Sequence, residues 1–276
     1  VVVVGDDGCV MRTHDGGREW EEIDVDTDYP LKAVLFIDEQ RGWIGGGIRE
    51  HQETRFHSGP KGFSGTSTIT EDAEGIVLSS VDGGYSWDEA VDGDDVYVAD
   101  ICFTDRSSGV AVGSYDRVYR SGDGGRSWME QTVDFAHNFN GACGIAPSYV
   151  FGVGESGFVA ASADNGRTWF QLGAHHDENN HRTFAEEYEA RHEVGTFGKS
   201  IAEEDSDLNA VFFTDARNGI VAGNDGVILT SNDAGARWRR RKIADGDLND
   251  VFFVSRDMGW IVGDDGTILR TESGGE

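Results

Sequence analysis

The sequence predicts an all-β propeller of four-stranded antiparallel blades, and three observations predict it. One turn recurs five times with the same spelling: Ser or Thr, any residue, Asp, a small or polar residue, Gly, two more residues, then Trp. The recurrences keep a period near 40 residues. Between them, short apolar segments bounded by Gly and Asp follow one repeating order, as strands do.

The copies of the turn are Thr13 to Trp20, Ser80 to Trp87, Ser121 to Trp128, Ser162 to Trp169 and Ser231 to Trp238, and a sixth begins at Thr271. Their third positions are Asp15, Asp82, Asp123, Asp164, Asp233 and Ser273, in steps of 67, 41, 41, 69 and 40 residues. A period near 40 is the size of one four-stranded propeller blade. Each long step holds one period plus about 27 residues, so each carries an insertion.

Within a period the strands come as A, B, C and D. Strand A is an apolar run: Leu31 to Ile37, Val98 to Phe103, Leu208 to Phe213, Leu248 to Val254. Strand B follows a short turn, as in Gly42-Trp43-Ile44-Gly45, Gly109 to Gly113, Tyr149 to Gly154, Gly219 to Gly223 and Gly259 to Gly263. Strand C is Val227-Ile228-Leu229 or Thr267-Ile268-Leu269; the Asp-Gly turn comes next, and strand D begins at the Trp. The tally is five A, six B, six C and five D strands. It fits a six-bladed ring whose first blade lacks A and whose last lacks D; seven blades is the alternative if the missing termini supply another. The whole of residues 1–276 reads as one domain. It begins inside a B strand without Met and stops inside a turn, so both ends are expected to be trimmed. An export signal or lipid anchor would then have been lost.

The turn has a mechanical reading. The Asp carboxylate accepts bonds from nearby backbone N–H groups, and the Gly takes positive φ without penalty. The Trp then covers the turn and packs between sheets. The turns resemble the Asp boxes of the sialidase-like and BNR-repeat propellers. Their residues here are Asp15 with Trp20, Asp82 with Trp87, Asp123 with Trp128, Asp164 with Trp169 and Asp233 with Trp238. The longer pattern of apolar-Phe-x-Asp, Gly-Trp-x-x-Gly and Ser-x-Asp-Gly-Gly-x-x-Trp is similar to the photosystem II assembly factor (Ycf48/Hcf136-like) propellers, over nearly the whole chain. That resemblance implies a scaffold for assembling a larger complex, while the fold itself serves many functions.

The chain carries 51 acidic and 23 basic residues, a formal charge of −28. Lys contributes only Lys32, Lys61, Lys199 and Lys242. Such a charge self-repels in dilute buffer and is screened at high salt, where the Debye length falls to about 3 Å at 1 M. Acid spread through every repeat resembles proteins of salt-accumulating haloarchaea. The expected setting is a haloarchaeal-type high-salt cytoplasm, or export if a signal is missing. No basic face is present to contact phosphates, which excludes nucleic acid as a partner. The one basic run, Arg239-Arg240-Arg241-Lys242, falls on a D strand and reads as a solvated outer edge. Cys9, Cys102 and Cys143 make no disulfide framework and read as three buried thiols. No run is apolar enough to span a membrane.

In an up-and-down blade the A–B and C–D turns share one face, and the B–C and D–A connections share the other. The first insertion, about 48–74, lies between B and C; the second, about 173–207, lies between D and the next A. Both are therefore expected on one face, opposite the turns. Long loops on a rigid scaffold concentrate binding residues. Partner-binding candidates are Arg55, Phe56, His57 and Phe63 in the first, and Arg182, Phe184, Tyr188 and Arg191 in the second. His175, His176, Asp177 and His181 form a candidate divalent-metal set, because neutral imidazole with carboxylate suits zinc or other transition ions. The B–C turns, Gly5 to Gly8 and Gly263 to Gly266 among them, would place carboxylates around the same mouth. The reading is a non-catalytic scaffold binding a protein partner through the insertion-bearing face. The alternative is a sialidase-like or other carbohydrate-active propeller; Tyr188 stands between Glu187 and Glu189, yet the Phe-Arg-Ile-Pro segment of sialidases is absent.

Overall fold

The structure, a computed structural model, describes residues 1–48, 52–58, 64–70, 73–94, 96–113, 117–133, 135, 137–145, 147–172 and 206–275. They form two compact units, Val1–Val98 and Ala99–Glu276. Apart from three single turns of 3-10 helix, every regular element among the described residues is a strand.

The first unit holds two blades. Blade one is β1 (Val2–Val4), β2 (Val10–Arg12) and β3 (Glu21–Glu22). Blade two is β4 (Leu31–Phe36), β5 (Gly42–Ile48), β8 (Glu74–Ser80) and β9 (Asp88–Asp94). Between β5 and β8 stands a separate two-stranded hairpin, β6 (Gln52–Ser58) with β7 (Ser64–Thr70).

The second unit holds four blades. Blade three is β10 (Val98–Phe103), β11 (Gly109–Gly113), β12 (Arg117–Ser121) and β13 (Met129–Thr132). Blade four is β14 (Phe139–Ile145), β15 (Tyr149–Gly154), β16 (Val159–Ser162) and β17 (Phe170–Gln171). Blade five is β18 (Leu208–Phe213), β19 (Gly219–Gly223), β20 (Val227–Ser231) and β21 (Arg239–Lys242). Blade six is β22 (Leu248–Phe253), β23 (Gly259–Gly263) and β24 (Thr267–Thr271). Neighbours pair antiparallel, and the six sheets are the blades of an all-β propeller. Blades one and six have three strands each, as the strand tally implied.

The B strands read as unbroken apolar runs because both of their faces are covered. All five residues of β11 are buried, and so are all five of β19. Sheet packs on sheet through alternate residues. Ala210, Ile220 and Ile228 of blade five meet Val251, Phe253 and Ile261 of blade six. Burying each large side chain contributes about 1.5–3 kcal/mol.

A second device locks blades two, three and five. The last Phe of strand A meets the Trp of the turn edge-on: Phe36 with Trp87 at 5.8 Å, Phe103 with Trp128 at 6.0 Å, Phe213 with Trp238 at 6.0 Å. Such pairs add about 0.5–1.5 kcal/mol beyond burial. Blade four reaches the same end differently, because Gly144 stands where the others have Phe. There Phe139, at the start of β14, takes the place beside Trp169 at 5.3 Å.

The recurrent turn is a hydrogen-bonded clasp. Ser121 Oγ donates to Asp123 Oδ1 (2.9 Å) and accepts from Gly125 N (2.8 Å). Asp123 Oδ1 accepts from Arg126 N and Ser127 N, and Oδ2 accepts from Ser127 Oγ (2.7 Å). Thr13, Ser80, Ser162 and Ser231 play the hydroxyl's part in the other clasps. The hydroxyl is the hub, since it is buried and serves both halves of the turn. Ser121→Ala leaves the buried Gly125 N–H without its acceptor and is expected to cost about 1–3 kcal/mol. Ser127→Ala, at an exposed site, is expected to cost less. Urea unfolding of both variants checks the order.

Two further expectations change. Cys9 is exposed in the turn before β2, where Gly5 N donates to its carbonyl; Cys102 is buried and Cys143 partly so. In β21, Arg239, Arg240 and Lys242 are exposed, but Arg241 is half-buried and donates to Gly275 O at 2.8 Å. The basic run is therefore an outer edge with one inward anchor.

Candidate functional site

At the B–C end of blades four and five the turn is tied to the residue that precedes the next inner strand. The turns Glu155–Gly157, Asn224–Gly226 and Asp264–Gly266 are single 3-10 turns whose middle residues have φ of 52°, 57° and 55°. Asp207 Oδ1 accepts from Ser156 N (2.9 Å), and Asp247 Oδ1 from Asp225 N (2.8 Å). Asn138 donates to Glu155, Asn249 to Asp264, and Lys32 pairs with Asp6 at 3.1 Å. Several carboxylates expected around a mouth are thus bound into these ties.

The hairpin β6–β7 projects from this end of blade two. Arg55, Phe56 and His57 lie on β6, in register with Ser67, Thr66 and Gly65. Phe63, Arg182, Phe184, Tyr188 and Arg191 lie outside the described residues, and so do His175, His176, Asp177 and His181. Among the described residues no group of three or more His, Cys, Asp or Glu is placed to hold a metal ion. No described helix is long and apolar enough to cross a membrane.

The inner strands of the second unit carry a carboxyl that sequence reasoning missed. Asp100 Oδ2 accepts from Ala142 N of the next blade at 2.8 Å, and Oδ1 accepts from Ile101 N at 2.7 Å. It keeps some solvent contact but is hemmed in by protein. Loss of hydration pushes it up to about 7, and the charge of Asp250 adds to the rise. Asp250, at the equivalent position of β22, is raised for the same first reason. Burial also pushes the Cys143 thiol up to about 12, which makes it inert as a nucleophile at neutral pH. In a chain with 51 acidic residues nothing in the spelling marks Asp100, except that it interrupts an apolar A strand.

An open groove of about 810 Å³ lies between blades five and six. Arg237, Arg239, Arg241 and Arg256 line it, with Asp257 and Glu272. Four guanidinium groups thus line one groove of an otherwise acidic chain. Arginine forks suit carboxylate recognition.

The groove falls within residues 196–276, which match the family model described as photosynthesis system II assembly factor YCF48. That stretch resembles the YCF48 family. Two solved structures share the fold with the chain. YCF48 bound to D1 peptide is 20% identical, with a TM-score of 0.56, covering 99% of this chain and 87% of that one. YCF48 from Cyanidioschyzon merolae is 16% identical, with a TM-score of 0.54, covering 98% and 90%. The structure of U3-55K, 8% identical with a TM-score of 0.57, covers 90% of this chain and 62% of that one. At such identities the likeness is one of fold, and the third match belongs to a differently named protein, so architecture alone does not single out a function. No curated protein matches the sequence.

Proposed function

We propose that this Ycf48-like chain is a non-catalytic interaction scaffold that binds a protein partner through its insertion-bearing end, in the manner of an assembly factor. The observation that carries the reading is the match of residues 196–276 to the assembly-factor family. The fold likeness to YCF48 bound to D1 peptide supports it. The physical means would be the β6–β7 hairpin. Its two strands pair only with each other among the described residues, so each offers an edge to an extended segment. Strand addition at such an edge gains main-chain hydrogen bonds. The 173–207 insertion would complete the same surface.

The test is affinity capture at high salt with the intact chain and with a chain in which 49–72 is replaced by a two-residue turn. A partner retained by the first and lost from the second supports the proposal. A partner retained equally by both, but lost on Arg239→Glu, moves the binding face to the groove. Capture by neither removes the scaffold reading.

We infer also a high-salt setting, from the charge of −28 and the scarcity of Lys. Self-repulsion on this scale relaxes when salt shortens the Debye length to about 3 Å near 1 M. Thermal melts are therefore expected to rise steadily as KCl is increased. A melting temperature that is flat or falls with salt contradicts the inference.

A further inference from the structure

The hairpin β6–β7 has two unequal edges. Its ladder runs without a bulge from Gln52 opposite Thr70 to Ser58 opposite Ser64. Among the described residues its strands pair only with each other. A two-stranded hairpin standing alone is at best marginally stable in water, and further strands are what secure such a sheet.

Strand β6 reads Gln-Glu-Thr-Arg-Phe-His-Ser and carries Glu53 and Arg55. Charges of that kind guard an edge against unwanted pairing. The outermost strands of the blades are guarded in the same way. Asp88, Glu89, Asp92 and Asp94 lie on β9, Glu130 on β13, and Arg239 to Lys242 make up β21. Strand β7 reads Ser-Gly-Thr-Ser-Thr-Ile-Thr. It holds no charge and no Pro, and Thr66, Thr68, Ile69 and Thr70 are β-branched, which suits an extended strand. It is the unguarded edge of the hairpin.

Symmetry and charge select what pairs there. Ser67 is the centre of β7. Laid antiparallel on its own copy about that residue, the strand sets Ser64 opposite Thr70, Gly65 opposite Ile69 and Thr66 opposite Thr68. The period of two keeps the members of each pair on one face. Cross-strand pairs of Thr with Thr or Ser stabilise an antiparallel ladder. Residues 52–70 hold one acidic residue, Glu53, against Arg55 and Lys61, in a chain whose formal charge is −28. Copies that meet hairpin to hairpin therefore avoid the carboxylate repulsion that opposes contact between the acidic repeats.

We propose that β7 pairs antiparallel with β7 of a second copy of this chain, in register about Ser67, to give a four-stranded sheet ordered β6-β7-β7-β6. The contact is isologous, so it closes at a dimer. The paired edge is uncharged, so salt strengthens the association by screening the remainder of the two chains. Strand β6 stays free for the scaffold's partner, whose capture is a separate measurement that a monomeric chain would still pass.

Light scattering coupled to size exclusion, over a concentration series at high salt, reads the mass of the intact chain. It is expected to rise from that of one chain, 30.0 kDa, to twice that and no further. Thr68→Lys puts a charge on the open edge and is expected to abolish the dimer with the far-ultraviolet circular dichroism unchanged. Cysteine cross-linking in a Cys9→Ser background reads the register. Ser67→Cys stands opposite its own copy, within the span of a disulfide, and its two thiols are expected to join on air oxidation. Ser64→Cys stands opposite Thr70 and is expected to remain a single chain on denaturing electrophoresis. An intact chain that stays monomeric at every concentration overturns the proposal. So does a dimer that survives Thr68→Lys, or one in which Ser67→Cys does not cross-link, since either puts the contact on another surface.

Discussion

Gly144→Val is expected to cost about 3 kcal/mol or more. At this site β14 runs close against the end of β10. A Cβ at Gly144 would stand 2.3 Å from Phe103 O and 2.6 Å from its carbonyl carbon. Those are backbone atoms, held by the blade-three sheet, and they cannot swing aside as a side-chain end could. Either the inner strands part, opening the packing around Phe139 and Cys102, or the backbone takes up the strain. Overpacking of a dense interior costs about 1–3 kcal/mol when side chains can yield and more when they cannot. Gly122→Ala is the control, because nothing lies within 4 Å of a Cβ there. Urea denaturation should leave Gly122→Ala at the parent midpoint and shift Gly144→Val strongly down. Equal midpoints would mean that the two inner strands are not in contact.

Two sets of carboxyls give the chain opposite pH dependences, and Asp100→Asn separates them. Asp100 has its folded value raised from 3.8 to about 7 by loss of hydration. Between these values the folded protein holds a proton that the unfolded chain has released. The folded state then binds more protons, so this group makes stability fall as pH rises from about 4 to about 7. The clasp carboxyls run the other way. The hydroxyl of Ser127 holds Asp123 near 2, and that of Ser86 holds Asp82 near 2. Their contribution is present above about 4 and is lost as pH falls through about 2. Asn at position 100 carries no charge at any pH and keeps a carbonyl for one of the two N–H donors. The variant is expected to be more stable than the parent at pH 8 by about 1–2 kcal/mol, and no more stable at pH 5. Melting curves at the two pH values check this; a gain of the same size at both would show that Asp100 does not titrate in that window.

What the sequence made legible depended on whether a residue's role had a fixed spelling. Ser121-x-Asp123 and the Phe103–Trp128 pair recur at fixed spacing, and the blades built on them were placed by counting. Strand β14 has no such spelling, because Gly144 replaces the Phe and the aromatic ring moves to Phe139 at the other end. The hairpin β6–β7 was invisible to periodicity, since Gln52–Ser58 and Ser64–Thr70 show no apolar alternation. The clasp hydroxyl was legible as a conserved-looking Ser or Thr within the repeat, but its bond to the second Gly needed the three-dimensional turn. The interblade stitch did leave a signal: Arg12-Thr13 and Arg120-Ser121 each put Arg immediately before the clasp, and each Nε donates to a carbonyl of the following blade's clasp, Gly83 O and Asn165 O. Asp100 stayed hidden because one more carboxyl among so many carries no information until its burial is known.

The central claim is that a protein partner is bound through the insertion-bearing end. Its most direct measurement is amide hydrogen exchange of the chain alone and in complex with its captured partner, at high salt. The account predicts new protection over the β6–β7 hairpin and the 173–207 segment, with the clasps of the opposite turns unchanged. Protection confined to the clasp side or to the groove around Arg239 and Arg256, with the hairpin exchanging as before, would contradict it.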